Sequence, residues 1–294
     1  MNNEWLEWTR SNLERGCAAD EVREILKKNN FSSTEIDEAM NIAKPGFFGR
    51  IKQKVQAKSR ELESSNRDVE RSRINIHDFD YQRMSEPRIT RNNDAILYSD
   101  ERIQLYTLDN FLTLAECEKM IAVINANLRP STITSGRDSS NFRTSSTCDM
   151  GLCNDRFVDK VDKQISRTLG LRLPWSETIQ GQKYQVGQEF KAHTDFFEPH
   201  TPEFEKFAAA EGQRTWTFMV YLNSTPKGGA TRFTALEKEF KPKPGQAVIW
   251  NSLLPSGEPN DNTIHHGMPV EEGEKIIITK WFRDKGKGTP YLSK

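Results

Sequence analysis

The sequence predicts an α+β protein, with helices in its first half and short β-strands of the sandwich, jelly-roll or barrel kind in its second. Three observations carry this. Apolar residues recur at helical spacing behind capping signals between 113 and 170. From about 175 onward the pattern changes to short alternating runs cut by Gly187, Gly228-Gly229, Pro242, Pro244-Gly245, Gly257, Gly267 and Gly273. Within that β region, QKYQVGQEFKAHTDFF (182–197) contains His193-Thr194-Asp195. Side chains alternate along a strand, so an imidazole and a carboxylate two positions apart point the same way.

In chain order, residues 1–43 read as a small helical module. Trp5, Leu6, Trp8 and Leu13 suit one helix, and Val22, Ile25 and Leu26 a second. Ser32 with Glu35 forms a capping box for a third, with Ile36, Ala39 and Met40 inward. The pattern resembles ubiquitin-associated-type bundles; the other reading is a helical extension packed on the main domain. Either leaves room for a protein contact. Lys44-Pro45-Gly46 ends the module, and 44–75 is a polar linker or exposed helix, basic in its first half. The remaining domain is expected over 76–294. Ile96–Leu108 has strand-like stretches. Thr113 and Glu116 make a second capping box, followed by Leu114, Cys117, Ile121, Ile124 and Leu128. Asn154 or Asp155 opens the next helix, with Val158, Val161, Ile165 and Leu169 on one face and Gly170 as its stop.

Composition narrows the function classes. Lys+Arg and Asp+Glu are both 42, so no net basic charge points to nucleic acid or an anionic membrane surface. No run approaches a membrane span, and the N-terminus lacks an apolar signal core, so the expected location is cytoplasmic. Cys17, Cys117, Cys148 and Cys153 then read as reduced thiols. Cys148 and Cys153 raise a zinc or redox idea, but no second cysteine pair supports it.

A lone HTD is a weak signal. With a second His it becomes the two-His, one-carboxylate facial triad that holds Fe(II) and leaves open positions. The chain has five His, namely 77, 193, 200, 265 and 266. His265-His266 lies in TIHHGMPV, ahead of the apolar strand KIIITKWF.

Taken together, RTSS (143–146), YQVGQEFKAHTD, QRTWTFMVYLN, GGATRF, KPKPGQAVIW, TIHHGMPV and GEKIIITKWF resemble the prolyl 4-hydroxylase branch of the Fe(II)/2-oxoglutarate dioxygenases, over about 95–285. The resemblance implies a double-stranded β-helix (jelly-roll) core with flanking helices, behind the N-terminal module. It implies Fe(II) on His193, Asp195 and a third ligand, His265 or His266. The family has a Lys ten residues after that His, and Lys275 is ten after His265, which selects His265. Lys275 would take the distal carboxylate of 2-oxoglutarate, with Tyr184 and Thr231 in the same pocket. Arg214 matches an arginine on the family's substrate side; a structural ion pair is its other reading. The implied activity resembles procollagen-proline 4-dioxygenase: O2 and 2-oxoglutarate consumed, succinate and CO2 released, a prolyl residue in a peptide or protein hydroxylated, with ascorbate as a possible reductant. The alternatives are the same chemistry on a free amino acid or other small molecule, and a non-catalytic jelly-roll binding module. Because Asp195 keeps its carboxylate, hydroxylation is favoured over the halogenation run by relatives with a small residue there. Residues 196–213 form an insertion that could serve as a substrate lid.

Overall fold

The segment KIIITKWFR is buried along its whole length, and the domain is built outward from it. A strand covered on both faces keeps no hydrophilic face, which is why Ile276, Ile277 and Ile278 run consecutively and Trp281 and Phe282 follow. Ile276, Ile277 and Ile278 are almost fully buried, each contributing about 2 kcal/mol of hydrophobic stabilisation.

The structure is a computed structural model that describes residues 5–6, 9, 19–28, 31–42, 79–130 and 143–292. Contacts divide the chain into two compact units, Met1–Asp78 and Phe79–Lys294. In the first, helices α1 (Ala19–Lys28) and α2 (Ser33–Ile42) close over Val22, Leu26, Ile36 and Met40, with Trp5 edge-on to Phe31. The expected box is present: Glu35 N donates to Ser32 Oγ at 3.3 Å, and Ser32 N to Glu35 Oε2 at 3.0 Å. Trp8, Leu13 and the whole stretch 44–75 lie outside the described residues.

In the second unit, the strands among the described residues are β1 (Ala95–Leu97), β2 (Leu105–Leu108), β3 (Arg129–Pro130), β4 (Ser146–Asp149), β5 (Gln180–Tyr184), β6 (Phe190–His193), β7 (Arg214–Tyr221), β8 (Lys227–Gly228), β9 (Thr231–Phe233), β10 (Lys238–Phe240), β11 (Ala247–Asn251), β12 (His265–Gly267), β13 (Val270–Glu272) and β14 (Lys275–Arg283). They form an eight-stranded antiparallel sheet ordered β1-β2-β11-β7-β14-β5-β4-β3, a four-stranded sheet ordered β10-β9-β12-β6, and the pair β13-β8. These antiparallel sheets with their flanking helices are the jelly-roll arrangement.

Alternation along the central strands sends side chains into two cores. Trp216, Phe218 and Val220 of β7, with Ile276, Ile278 and Phe282 of β14, face helices α3 (Leu114–Ala126) and α4 (Arg156–Leu169). Met219, Tyr221 and Ile277 face inward, where they meet Phe233 and Phe240 of the smaller sheet. α3 carries the expected capping box, Glu116 N donating to Thr113 Oγ1 at 3.2 Å and Thr113 N to Glu116 Oε2 at 3.0 Å. Its inner face differs from the expected arc: Leu114 is 67% exposed, and Met120 joins Cys117 and Ile124 in the core. Leu114 is the first residue of the helix and stays outside the core, and Met120 is the i+3 neighbour of Cys117 on the buried face. For α4 the cap is Asp155, whose Oδ1 accepts from Phe157 N at 2.7 Å, and Gly170 ends it at φ 77°, a left-handed position suited to glycine.

Candidate active site

β6 and β12 are antiparallel neighbours in the smaller sheet, and their register sets His193 opposite His265. The two rings lie 4.3 Å apart between centroids. Asp195, two positions after His193, brings its carboxylate between them: Oδ1 is 4.0 Å from His193 Nε2, and Oδ2 is 4.0 Å from His265 Nε2. One ligand atom from each residue falls within a 4.8 Å cluster, so strand pairing has joined two histidines 72 residues apart.

Backbone carbonyls choose the tautomers. His193 Nδ1 is 2.7 Å from Lys191 O, and His265 Nδ1 is 2.9 Å from Thr263 O. A carbonyl only accepts, so each Nδ1 carries the proton and each Nε2 turns its lone pair to the shared point. Burial, then the nearby His265, pushes His193 well below its usual pKa and keeps the imidazole neutral, the metal-binding form. Thr217 donates its hydroxyl to Asp195 Oδ2 at 2.6 Å, and Arg214 Nη1 reaches the Asp195 carbonyl at 3.5 Å. His266 points elsewhere, with Nε2 2.7 Å from Glu189 Oε2, and takes no part in the cluster.

The cluster opens onto a cavity of about 40 Å³ walled by Met219, Trp250, Ile277 and Trp281, with Lys275 among its lining residues. Lys275 is 2% exposed, and its ammonium touches only polar or aromatic groups: Thr231 Oγ1 at 3.4 Å and the rings of Tyr184 and Tyr221 at 5.2 and 5.6 Å. No carboxylate pairs with it among the described residues, and burial lowers its pKa to about 7. Tyr184 donates to Gln182 Oε1 at 2.7 Å, and Thr231 Oγ1 sits 2.7 Å from the Tyr221 hydroxyl. The Trp281 indole N–H is buried without a partner on the cavity wall. Lys275, Tyr184 and Thr231 therefore share the lining of one cavity with the His–Asp–His cluster.

Arg214 stands beside this cavity, committed to protein. Its guanidinium forks onto Glu177 at 2.6 and 2.8 Å and lies 4.1 Å over the Trp281 ring. Burial would raise the Glu177 carboxyl, but Arg214 and Arg283 outweigh it and hold it below the usual carboxylate range. The structure thus favours the ion-pair reading of Arg214. The insertion 196–213 is likewise tied down. The Gln213 side chain bonds Phe197 N and O at 2.7 and 2.6 Å, and Arg283 Nη1 donates to Phe207 O at 2.9 Å. Such anchoring suits a fitted loop better than a lid. Two residues of the site carry no role in the sequence reading: Thr217, and Arg143 of RTSS, which bonds Gln180 Oε1 at 2.9 Å and covers the Phe190 ring.

Residues 179–283 match the model of the 2OG-Fe(II) oxygenase superfamily. A protein of Acanthamoeba polyphaga mimivirus assigned as a prolyl 4-hydroxylase is 30% identical over 181 residues, covering 61% of this chain and 74% of that one. Prolyl 4-hydroxylase 13 of Arabidopsis thaliana is 28% identical, covering 62% and 72%. The alpha-1 subunit of human prolyl 4-hydroxylase is 29% identical, covering 68% of this chain and 35% of the subunit. Among solved structures, the 2OG complex of the viral collagen prolyl hydroxylase of Paramecium Bursaria Chlorella virus-1 aligns with a TM-score of 0.48 at 28% identity, covering 61% and 95%. The chain belongs to the prolyl 4-hydroxylase family of the 2OG-Fe(II) oxygenases. It is a 2-oxoglutarate-dependent dioxygenase that works with Fe(II), and the donor set fits: two imidazoles and one carboxylate for the metal, and a buried lysine without a protein counter-charge among the described residues for a dicarboxylate.

Proposed function

We propose that this enzyme hydroxylates a prolyl residue within a peptide or protein, with Fe(II) held by His193, Asp195 and His265 and the distal carboxylate of 2-oxoglutarate held by Lys275. The observation that carries the site assignment is Lys275, sealed in the cavity that the His–Asp–His cluster also lines, with no protein carboxylate to neutralise it among the described residues. A bidentate dicarboxylate supplies what the lysine lacks and orients itself by doing so. Family membership supports the prolyl substrate, as the relatives are named for it.

Bound Fe(II) with 2-oxoglutarate supplies the oxidising chemistry, consuming O2 and releasing succinate and CO2 as one oxygen enters a substrate C–H bond. The chain's own contribution is positioning. Lys191 and Thr263 carbonyls fix the tautomers of the two histidines. Thr217 holds Asp195 by one oxygen and so constrains the direction of the other. Lys275, Thr231 and Tyr184 anchor the co-substrate's far end, while Met219, Trp250 and Ile277 exclude water from the space between. Ascorbate as reductant belongs to the same proposal.

The test is succinate release with Fe(II), 2-oxoglutarate and either proline-containing peptides or free L-proline, with mass spectrometry for a product heavier by one oxygen. Peptides should be turned over, and trimming the residues beside the proline should reduce turnover, because remote contacts orient the reacting residue. Free proline hydroxylated as efficiently as any peptide would sink the polypeptide reading.

A further inference from the structure

We propose that Cys148 and Cys153 form a reversible intramolecular disulfide, a modification site behind the sheet that walls the active-site cavity, which a peroxide closes and a dithiol reopens. The two sulfurs are already in contact, 3.8 Å apart. Local structure explains why. Cys148 lies on β4 with its side chain in the core under α3, where it meets Ile124 and Gly181. A single turn of 3-10 helix, Met150–Leu152, then reverses the chain, and Cys153 N bonds back to Met150 O at 3.1 Å. Asp149, anchored by Arg129 Nε at 2.9 Å, pins the near side of the turn, and the Asp155 cap of α4 pins the far side. To bond, the sulfurs close from 3.8 Å to about 2.05 Å within a turn whose two ends are fixed.

The pair is suited to redox chemistry and not to metal binding. No three-residue cluster of ligating side chains besides the His–Asp–His group occurs among the described residues. The two thiols also differ in accessibility: Cys148 is sealed, and Cys153 is partly exposed. The contact with Cys148 lowers the Cys153 thiol, while that same contact and burial push Cys148 up. The exposed sulfur is therefore the better nucleophile and the buried one the resolving partner.

The chemistry balances with hydrogen peroxide as oxidant. The Cys153 thiolate attacks one peroxide oxygen, the O–O bond breaks, and a sulfenic acid and water result once a proton is taken up. The Cys148 sulfur then attacks the sulfenic sulfur; the S–S bond forms, the S–O bond breaks, and the departing hydroxide leaves as water with the Cys148 proton. Two thiols lose two electrons, and one peroxide becomes two waters. In reverse, a dithiol attacks the accessible Cys153 sulfur by thiol–disulfide exchange. Only four residues separate the two cysteines, so the loop closed is short and little chain entropy is removed. That favours a readily reduced bond over a permanent staple.

The link would join the end of β4 to the start of α4. β4 pairs with β5 from Ser146↔Lys183 to Asp149↔Gln180, and β5 carries Gln182 and Tyr184 of the cavity wall. Oxidation would thus stiffen the turn behind that wall.

The experiment uses the full-length chain loaded with Mn(II) in place of iron, so that iron does not react with the peroxide. After brief treatment with hydrogen peroxide, remaining thiols are alkylated under denaturing conditions and the peptides mapped. The expected result is one cross-link, between Cys148 and Cys153, with Cys117 and Cys17 alkylated, and its loss on dithiol treatment. Oxidation should also slow proteolysis at the turn 149–153 in wild type and not in Cys153→Ser. The proposal is overturned if Cys153 ends as a sulfinic acid without cross-link, if the bridge involves Cys17 or Cys117, or if Cys153→Ser shows the same protection.

Discussion

Lys275 and Lys280 lie on one strand, five residues apart, and both are almost fully buried, yet they differ in every other respect. An odd spacing puts them on opposite faces of the pleat. Lys280 faces the helices, where Asp162 of α4 meets its ammonium at 2.6 Å and the Glu177 carbonyl accepts at 2.7 Å. Lys275 faces the cavity and finds a hydroxyl and two rings. A buried charge is tolerated when its partner is built into the fold, and Lys280 is such a case. A buried charge with no built-in partner costs stability until a ligand brings the counter-charge. The contrast sets a lysine with a built-in partner, Lys280, against the one proposed to hold 2-oxoglutarate, Lys275.

Replacement of each lysine by methionine, similar in length and uncharged, tests the contrast. The largest effect is expected for Lys275→Met. Loss of a desolvated charge-assisted contact of about 3 kcal/mol weakens 2-oxoglutarate by about 100-fold or more, read as the co-substrate concentration for half-maximal succinate release. In the absence of co-substrate the same variant should melt higher than wild type, since it removes an unpaired buried cation. Lys280→Met should behave in reverse: unchanged 2-oxoglutarate dependence, and stability lower by about 1–3 kcal/mol in urea titration, as the half-buried Asp162 and the Glu177 carbonyl lose their donor. If both variants weaken 2-oxoglutarate equally, the distinction is wrong.

At the metal end, charge and partner are both supplied by protein. Thr217→Val keeps the shape of the side chain and removes the donor to Asp195, so metal affinity should fall by about 10-fold, the low end for an outer-shell partner. Titration with Co(II), followed by its visible absorption, reads this without turnover. Thr217→Ser should restore most of the loss; a serine variant as weak as the valine one would mean that packing, not the hydrogen bond, is what matters.

pH sharpens the same comparison. Lys275 has a pKa of about 7 in the folded protein without co-substrate, below its ordinary value of 10.5. The unfolded chain therefore binds more protons between those values, and the apo protein gains stability as pH rises from about 7 towards 10.5. Binding a dicarboxylate favours the charged lysine, so 2-oxoglutarate uptake draws in a proton, and its apparent affinity should weaken above pH 7. Calorimetry in buffers of different ionisation heat measures the proton uptake. Lys275→Met should abolish it, and an unchanged proton count in that variant would reassign the linkage.

How far all this was legible in the sequence depended on how local each signal is. His193 and Asp195 share one strand end, and the alternation rule exposes them. Lys275 is ten residues from His265, the interval of the family the chain resembles, and only through that resemblance does the sequence choose His265 over His266. Thr217 was not legible, because a threonine in TWTFMV reads as an ordinary β-branched strand residue until Asp195 is folded against it. The partner of Arg214 is equally hidden, since Glu177 lies 37 residues away in the connection before β5. Leu114 was misplaced for a simpler reason: the capping box located the helix start correctly, but it does not say which of the following residues the sheet will cover.

The smallest effect is expected at His266, which completes the comparison from the surface side. It adjoins His265 of the His–Asp–His cluster, yet the alternation of β12 turns it outward to Glu189, whose Oε2 lies 2.7 Å from its Nε2. Both side chains keep some solvent exposure, 22% and 24%, so the pair is screened and contributes little, within the range of about 0–1 kcal/mol for exposed ion pairs. His266→Ala should leave Co(II) affinity and the 2-oxoglutarate requirement within about twofold of wild type, a change below roughly 0.5 kcal/mol. His265→Ala should abolish Co(II) binding at the same concentrations. Should the alanine at 266 prove the more damaging of the two, the register that sets His265 against His193 would be off by one residue, and with it every inward and outward assignment along β12.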